Sequence, residues 1–301
     1  MLRASLAGQP SEPGQPTKHR WLGIDFSGDL TQWRPARKRG NVWIADVREM
    51  GGRRTLCALF RVQALADATD RSAFARLVEL LARGDYEAAA IDAPFSIPQE
   101  SAARGSHADL LKKVGAIVSD GNRPFPSGVS FVEAVTRQKP PLVPPQPYRV
   151  TEQFWLGKGV NVRSTLWAGP PEVCRRPGAP MAAACITLLH LSRRPIWPWV
   201  EPPAKGLLVE AFPAAQLRHW DMLYKQYSGR KPSALAPRQR ILTGIRPRLE
   251  IPDPFVAQMA DSADALDAVL CAFAAVAVTE NKVAYQPEPV AAQEGWIAVH
   301  L

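Results

Sequence analysis

Acidic residues stand at the ends of several apolar segments in this sequence. They are Asp25 after 21–24, Asp92 after 88–91, Glu210 after 207–209, and Asp264 with Asp267 near the start of a long apolar helix. An acid at the rim of a buried element loses hydration, so it needs either a charged partner or a function. Four such elements in one chain predict a fold in which their carboxylates meet at a shared site for a divalent cation.

The spacing of apolar residues predicts an α/β fold. Strands are predicted at 20–26, 41–47, 53–62, 86–91 and 207–212, helices at 70–83, 216–227 and 262–279, and a short edge strand at 294–300. The pair Gly51-Gly52 predicts a hairpin between the second and third strands. We therefore expect a mixed five-stranded sheet with helices on its faces. Asp25, Asp92 and Glu210 follow strands, and open α/β sheets place their sites beyond the carboxyl ends of strands.

The acids near the last helix are ranked by helical geometry. At ~100° per residue, Asp261 and Asp267 lie roughly 120° apart, so both cannot face one site well. Asp264 lies three residues from each and is compatible with either. Asp261 is also suited to cap the helix, with Asp264 in the third position of a capping box. We therefore rank Asp264 and Asp267 above Asp261.

Proline usage divides the chain. The sequence has 29 prolines, and helical and strand periodicity weakens from residue 96 to 204. We predict a long Pro-rich insertion there, between strands four and five, with helical pieces at 108–114 and 181–191. Residues 1–18 are predicted to be a disordered tail. Residues 19–301 are predicted to form a single domain, with its core at 19–95 and 205–301.

Composition is that of a soluble globular protein. A chain of 301 residues can bury a substantial core. It has no apolar run of the ~18 to 20 residues that span a membrane and no signal-peptide core, so a cytoplasmic location is expected. The cysteines show no metal-binding spacing and are expected to be reduced thiols. They are Cys57, Cys174, Cys185 and Cys271.

A strongly basic segment runs from Arg218 to Arg248. It contains eight Lys or Arg residues and the single acid Asp221, which gives +7 of the formal net charge of +9. Aromatic residues lie among the bases, as in grooves that bind nucleic acid without sequence preference. A solvated basic face has the same composition; together with the acids, the segment favours a polyanionic partner. The expected nucleic-acid contacts are Lys225, Arg230, Lys231, Arg238 and Arg240.

Five motifs occur in a characteristic order. They are Gly23-Ile-Asp25-Phe-Ser-Gly28, Ile91-Asp92-Ala-Pro-Phe-Ser-Ile-Pro98, Val209-Glu210-Ala-Phe-Pro213, Asp264-Ala-Leu-Asp267-Ala and Glu294-Gly-Trp-Ile297. With the stretch from Tyr227 to Arg238, this set resembles domain of unknown function 429 (DUF429), a family of predicted nucleases in the ribonuclease H-like superfamily. The resemblance runs from about 20 to 297 and is weakest across the insertion. A Trp that often follows the first strand's Gly and a Gly before Arg238 are missing.

The resemblance implies a ribonuclease H-like fold, in which acids on strand one, strand four and the final helix hold divalent metal. The implied catalytic residues are Asp25, Asp92, Glu210, Asp264 and Asp267. The expected metal ligands are acids on these elements. Asp25 would bridge two ions, Asp92 would bind one of them, and Asp264 or Asp267 would bind the other. Carboxylate oxygens suit the hard cations Mg²⁺ or Mn²⁺.

Several assignments stay open at this point. Glu210 completes the metal shell or pairs with a base such as Arg149 or Lys231. Asp25 and Asp92 either bind metal or lie at strand ends and accept hydrogen bonds from backbone amides. Lys231 and Arg238 clamp a phosphate or lie on a solvated surface.

Three functions are compatible with the sequence. The leading expectation is a metal-dependent nuclease that acts on DNA or RNA. An ATP-dependent phosphotransferase of the actin and sugar-kinase type shares the central topology and the Gly-Ile-Asp-Phe start of its first strand. A nucleic-acid-binding protein without catalytic activity would keep the sheet and the basic face.

Overall fold

A computed structural model of the protein describes residues 19–34, 37, 40–65, 72–101, 105–118, 123–140, 147–169, 178–229, 231–287, 289 and 291–301. The predicted tail at 1–18 lies outside the described residues. So do Asp70, Cys174 and Arg230.

Five strands form one mixed sheet in the spatial order β3-β2-β1-β4-β5. They are β1 (Arg20–Asp25), β2 (Trp43–Met50), β3 (Arg53–Arg61), β4 (Ala88–Asp92) and β5 (Leu207–Glu210). Strands β1, β2 and β3 are antiparallel neighbours, whereas β4 runs parallel to both β1 and β5. Gly51 and Gly52 form the turn between β2 and β3 with positive φ of 57° and 76°, the backbone that a tight hairpin requires. The predicted α/β class and mixed five-stranded sheet are confirmed.

Helices cover both faces of the sheet. They are α1 (Ala73–Arg83), α2 (His107–Gly115), α3 (Gly128–Thr136), α4 (Val150–Gly157), α5 (Ala179–Ser192), α6 (Pro213–His219), α7 (Leu235–Ile245), α8 (Asp253–Asp261), α9 (Ala263–Thr279) and α10 (Ala291–Glu294). The predicted helix at 216–227 is wrong in its bounds, because α6 begins at Pro213 and ends at His219. A proline in the first turn starts a helix rather than breaking it. Helix α8, which has Pro254 in its first turn, was not predicted.

The core has a layer on each side of the sheet because strand side chains alternate in direction. Trp21, Ala88, Ala90 and Val209 pack with α9 on one side. Leu22, Ile24, Ile91 and Leu208 pack with α1 and α5 on the other. The side chains of Asp25 and Asp92 therefore belong to the α9 face, whereas that of Glu210 belongs to the opposite face.

The segment that connects β4 to β5 contributes to this core. Its helix α5 buries Ala184, Cys185 and Leu188 against the sheet-facing cluster of α1, and α2 and α3 pack on the other side of α5. Helix α5 therefore forms part of the helical layer on the sheet, although it lies within 96–204. The division of the chain into a core and an insertion stays a prediction.

The C-terminal segment extends the sheet beyond β5. Ala298 bridges Ala211 in parallel orientation, and its amide donates to the carbonyl of Glu210 at 3.0 Å. The edge strand expected at 294–300 is therefore present as isolated bridges rather than a regular strand. In the described part of the chain, no single helix combines the length and apolar character needed to cross a membrane. Only α8 and α9 taken together, with a bend of 117° between them, have such a length and composition.

Close packing of α9 on β1 requires Gly23. A Cβ atom added to Gly23 would overlap the carbonyl oxygen of Ala268 and the amide nitrogen of Ala272, both in the backbone of α9. Backbone atoms cannot rotate away as the end of a side chain can. Gly23 therefore sets the distance between the central strand and the helix that carries Asp264 and Asp267.

We expect Gly23→Ala to destabilise the protein by about 1–3 kcal/mol, the usual effect of overpacking a core. The free energy of unfolding would be measured by urea denaturation. Gly157→Ala is the matched control, because an added Cβ there has no atom within 4 Å and the change should be within about 0.5 kcal/mol of neutral. Equal stability of the two variants would show that α9 does not rest on Gly23.

Candidate active site

Strands β1 and β4 bring two aspartates side by side. In the parallel register Asp25 lies opposite Asp92, and neighbouring strands are only ~4.8 Å apart. Both are the last residues of their strands. Asp25 is 8% exposed, and Asp92 is partly buried. The sheet therefore holds two carboxylates together at its carboxyl end.

Helix α9 adds two more aspartates to this place. Asp264 lies in its first turn, and Asp267 follows one turn later. Both act on the electrostatics of Asp25. The four side chains Asp25, Asp92, Asp264 and Asp267, here called the aspartate cluster, come from three elements that are distant in sequence.

The start of α9 differs from the expectation. Ser262, not Asp261, is the N-cap, and its hydroxyl accepts the amide of Ala265 at 3.3 Å. Asp261 is the exposed last residue of α8, so the capping assignment for Asp261 is wrong. Asp264 is consequently the second helical residue instead of the third residue of a capping box. Ranking it with Asp267 above Asp261 agrees with this arrangement.

The cluster concentrates negative charge. Burial raises the pKa of Asp25 well above its usual value, and the charges on Asp267, Asp264 and Asp92 raise it further. Burial and the charge of Asp92 also raise the pKa of Asp267. Burial and the charge of Glu210 raise the pKa of Asp92 to about 7, with Arg163 opposing this shift. Such mutual repulsion is typical of carboxylates that share one functional site.

Neither Asp25 nor Asp92 has a hydrogen-bond donor or an ion-pair partner within the described residues. The alternative in which these aspartates accept backbone amides at strand ends has no contact to support it. No hydrogen bond from the described residues therefore offsets the burial of these two side chains, and for Asp92 the charge of Arg163 offsets only part of it. A bound cation would compensate it.

Tyr227 anchors one member of the cluster. Its hydroxyl donates to the Asp267 carboxylate at 2.8 Å, and its ring is 5% exposed. The tyrosine is one of the aromatic residues that the sequence suggested as a stacking platform. Because it is buried, it is better placed to orient Asp267 than to stack on a base.

Glu210 belongs to a separate buried network. Its two carboxylate oxygens accept from the Arg149 guanidinium at 2.6 and 2.8 Å, and one of them also accepts the amide of Phe95 at 3.0 Å. Of the alternatives for Glu210, pairing with Arg149 is thus observed. Alternation along β5 explains this, because Glu210 lies on the sheet face opposite to the aspartate cluster.

Arg149 and the next residue, Val150, contact three parts of the chain. Arg149 also donates to Glu152 at 3.0 Å, and the carboxylate of Glu294 accepts the amide of Val150 at 2.7 Å. Burial raises the pKa of Glu152 to about 7 despite the nearby charge of Arg149. The start of α4, the end of β5 and the C-terminal segment are therefore joined by buried polar contacts.

The basic segment divides into exposed and buried parts. Lys225, Lys231 and Arg240 are exposed, as expected for a nucleic-acid surface, while Arg230 lies outside the described residues. Arg238 is 4% exposed. Its guanidinium donates to the carbonyls of Tyr227, Gly229 and Ala260 at 2.8, 3.0 and 2.6 Å. Arg238 thus holds the Tyr227 loop against α8 and is not part of the solvated surface.

A cavity opens beside Asp92 at the carboxyl ends of β4 and β5. It has a volume of about 240 Å³. Its walls combine the charged side chains of Asp92, Arg149, Glu210 and Arg163 with apolar groups. Asp92 can therefore be reached from solvent on this side.

The carboxylates of the aspartate cluster have the right chemistry to bind a divalent cation, but in this structure they are not arranged to do so. Carboxylate oxygens are the preferred ligands of Mg²⁺ and Mn²⁺, and the charges of the aspartate cluster repel one another. Within the described ranges, however, no three His, Cys, Asp or Glu side chains are grouped so that they could hold a metal ion. A cation would have to draw the carboxylates together from their positions in this structure.

Sequence reasoning missed Arg163, Glu152 and the role of Tyr227. At the start of α4, Glu152 accepts the amide of Arg149 at 2.9 Å, but Arg is not the Ser or Thr that marks a capping box in a sequence. No local pattern connects Arg163 to Asp92, because they are 71 residues apart in sequence and meet only through the tertiary fold.

Comparison with known proteins identifies one family. The family model described as protein of unknown function (DUF429) matches residues 173–292. This range contains Glu210, Asp264 and Asp267 but neither Asp25 nor Asp92. No curated protein and no solved structure matches the chain.

We expect Arg149→Ala to destabilise the protein by about 3–5 kcal/mol, because it leaves buried carboxylates without their cation. Denaturant unfolding would measure the change. The control is Lys282→Ala, which breaks the more exposed ion pair to Glu280 at 2.7 Å and should cost no more than about 1 kcal/mol. A similar, small cost in both variants would contradict the role given to Arg149.

We expect Asp92→Asn to become increasingly stabilising, relative to the parent, as pH rises from 4 to 8. The folded-state pKa of Asp92, about 7, exceeds the unfolded value of ~3.9, so the folded parent holds an extra proton between these pH values. The stability that this extra proton gives the folded parent is fully present below pH ~4 and is lost as pH rises through 7. With allowance for solvent screening, the difference should reach about 1–2 kcal/mol at pH 8 in metal-free buffer.

Urea unfolding at several pH values would measure this difference. Asp261→Asn, at an exposed position, serves as the control and should differ from the parent by a constant amount. A pH-independent difference for Asp92→Asn would contradict the raised pKa.

Proposed function

We propose that this chain, which belongs to DUF429 through residues 173–292, is a divalent-metal-dependent nuclease that hydrolyses phosphodiester bonds in nucleic acid. The single observation that carries the proposal is the aspartate cluster. Asp25 and Asp92 lie in register on neighbouring strands, α9 contributes Asp264 and Asp267, and no side-chain hydrogen bond to Asp25 or Asp92 is found among the described residues.

The sheet order supports a ribonuclease H-like fold. A three-stranded antiparallel part continues into two parallel strands in the order β3-β2-β1-β4-β5. The acids lie on the first strand, the fourth strand and a late long helix. This is the placement that the resemblance in the sequence implied.

Asp25, Asp92, Asp264 and Asp267 would hold Mg²⁺ or Mn²⁺. When bound, such an ion lowers the pKa of a water and offsets the charge that develops on the phosphate. Tyr227 keeps the Asp267 carboxylate oriented through its 2.8 Å hydrogen bond. Glu210 would act from outside the cluster, because its charge raises the pKa of Asp92 while Arg149 fixes its position.

The exposed bases supply the affinity for a polyanion. Lys225 and Lys231 flank Tyr227 in sequence, and Tyr227 contacts the cluster. Neutralising phosphates with such side chains gives binding that weakens as salt rises. Lys225, Lys231 and Arg240 are therefore proposed to contact the nucleic-acid backbone, with Arg238 as the support that holds the Tyr227 loop.

Two alternatives make different predictions. An ATP-dependent phosphotransferase would release heat on mixing with ATP and an acceptor. A nucleic-acid-binding protein without catalytic activity would bind in a salt-sensitive manner without turnover and without thermal stabilisation by divalent metal.

We expect the purified protein to cleave nucleic acid with Mn²⁺ or Mg²⁺ and to lose more than about a hundredfold of this activity in Asp25→Asn or Asp92→Asn. Labelled single-stranded and duplex DNA and RNA would be incubated with each protein and resolved by gel electrophoresis. Asp261→Asn is the matched control, because its exposed carboxylate ends α8 outside the cluster.

Circular dichroism and a melting scan with and without Mn²⁺ would accompany the assay. The parent should gain thermal stability from Mn²⁺, whereas both active-site variants should stay folded and gain less. Undiminished cleavage by folded Asp25→Asn and Asp92→Asn would sink the proposal. Salt-sensitive binding without cleavage or a Mn²⁺ shift would favour the non-catalytic alternative.

A further inference from the structure

A second cavity opens where the chain leaves β1. It has a volume of about 520 Å³, within the ~300–1,000 Å³ of ordinary small-molecule pockets. Its described lining comes chiefly from three segments: the loop after β1, the segment that runs from Arg123 into the first turn of α3, and the start of α5. The proposed function assigns no role to this cavity.

Arg123 is the one cationic side chain among the described residues that line this cavity. It is partly buried, and its Nε is buried from solvent without a hydrogen-bond partner. No hydrogen bond or ion pair joins Arg123 to any residue that the structure describes. A buried donor of a charged group is costly when it lacks an acceptor. An anionic ligand in the cavity would supply that acceptor.

Two helices begin at the cavity and add positive potential to it. Ser127, the N-cap of α3, lines the cavity together with the first residues of that helix, Gly128 and Val129. Pro180 and Met181, in the first turn of α5, line it from another segment. The amides of a first helical turn lack intrahelical acceptors, and the helix dipole is positive at this end. The two helix starts therefore reinforce the guanidinium charge.

Close backbone packing holds these walls together. A Cβ atom added to Gly28 would overlap the backbone of Pro180 and Met181, and one added to Gly128 would overlap the ring of Pro180. Since backbone atoms cannot rotate away, the loop after β1 and the starts of α3 and α5 stay close to one another. The cavity is therefore formed before a ligand binds, which lowers the conformational cost of binding.

The one acid in the described lining of this cavity is Asp29. Its carboxylate accepts the amide of Thr31 at 2.9 Å and the side-chain amide of Gln32 at 2.9 Å. These hydrogen bonds cap the short 3-10 helix Leu30–Trp33. Asp29 is also exposed, so solvent and salt screen its charge. It therefore opposes an anion in the cavity less than a buried carboxylate would.

The lining favours a phosphate monoester with an apolar body. The planar fork of a guanidinium matches phosphate oxygens, and helix-start amides suit an anion that accepts hydrogen bonds from several directions. Leu30, Val129 and Met181 are apolar and incompletely buried, so they can cover a ring or an aliphatic chain. A volume of about 520 Å³ leaves room for such a body.

We infer that this cavity binds a phosphate monoester, with the phosphate at Arg123 and the first turn of α3, and with the apolar body against Leu30, Val129 and Met181. The inference goes beyond the proposed function and needs no divalent cation. The same phosphate chemistry occurs on a small free compound and at the end of a nucleic-acid strand, and the test distinguishes these two sources.

The test is calorimetric titration of the full chain with phenyl phosphate in buffer that contains EDTA. We expect saturable binding that becomes about tenfold weaker in Arg123→Ala and partly recovers in Arg123→Lys, since one charge-assisted contact is lost or replaced. Phenol, which lacks the phosphate, should bind at least about tenfold more weakly to the parent. Inorganic phosphate should also bind more weakly than phenyl phosphate, because it leaves the apolar wall uncovered.

Arg83→Ala is the matched control for Arg123→Ala. Arg83 is exposed in the last turn of α1 and is not among the described residues that line the cavity, so its removal should leave binding unchanged. Without ligand, Arg123→Ala should melt near the parent, because the described structure gives Arg123 no hydrogen bond or ion pair to lose.

A second pair of variants keeps Arg123 and changes the wall. Val129 is 44% exposed in the first turn of α3, so Val129→Glu adds a carboxylate that suits the helix start but repels an anion. We expect phenyl phosphate to bind about tenfold more weakly to Val129→Glu than to the uncharged Val129→Gln. Equal binding by the parent, Arg123→Ala and Val129→Glu would overturn the inference. So would the absence of saturable binding by the folded parent at millimolar phenyl phosphate.

A competition experiment identifies the source of the phosphate. Displacement of phenyl phosphate by a 5′-phosphorylated oligonucleotide, but not by its 5′-hydroxyl counterpart, would assign the site to strand ends. Failure of both oligonucleotides to displace it would assign the site to small free compounds, and either result supports a phosphate site.

These measurements also separate the inference from the proposed function. Binding that depends on Arg123, without cleavage of any nucleic acid, would keep the phosphate site and remove the nuclease. Metal-dependent cleavage without binding that depends on Arg123 would keep the nuclease and remove the phosphate site.

Discussion

The contact between Gly23 and α9 determines where the acidic side chains of the two elements meet. Gly23 lies two residues before Asp25, and the backbone of Ala268, which it contacts, follows Asp267 directly. With no side chain at this point, the helix approaches the strand closely enough for the two sets of carboxylates to influence each other. The same packing brings mutually repelling carboxylates together away from water, which lowers the stability of the metal-free fold.

The alternation of side chains along the strands separates the two groups of acids. Asp25, Asp92 and Glu210 all stand at carboxyl ends of strands, so the sequence suggested one site for all three. The register, however, pairs Glu210 with Ile91 rather than with Asp92, and neighbouring residues in this register face the same way. Glu210 therefore joins Arg149 on the opposite face, and its influence on the cluster is electrostatic rather than direct.

Much of the architecture could be predicted from local pattern. The apolar runs that end in Asp25 and Asp92, the Gly51-Gly52 turn and the long helix that carries Asp267 are all encoded by residues close in sequence. Their meeting at one end of the sheet followed from the rule that open α/β sheets place functional residues there.

The remaining features depend on tertiary contacts. Whether Arg238 was exposed or buried could not be read from a basic segment, because burial depends on the carbonyls of Tyr227 and Ala260 that surround it. Tyr227 had the same ambiguity. Asp261 was expected to cap the last helix, but it is the last residue of α8, and Ser262 caps α9 instead.

The buried guanidinium of Arg149 also constrains the order in which the chain can mature during synthesis. Its partners Glu210 and Glu294 come 61 and 145 residues later, so they leave the ribosome long after α4 does. Until Glu210 arrives, the guanidinium lacks the bidentate partner that offsets its burial, and docking of α4 is disfavoured. The region around α4 thus completes its packing only after Glu210 and Glu294 have been made.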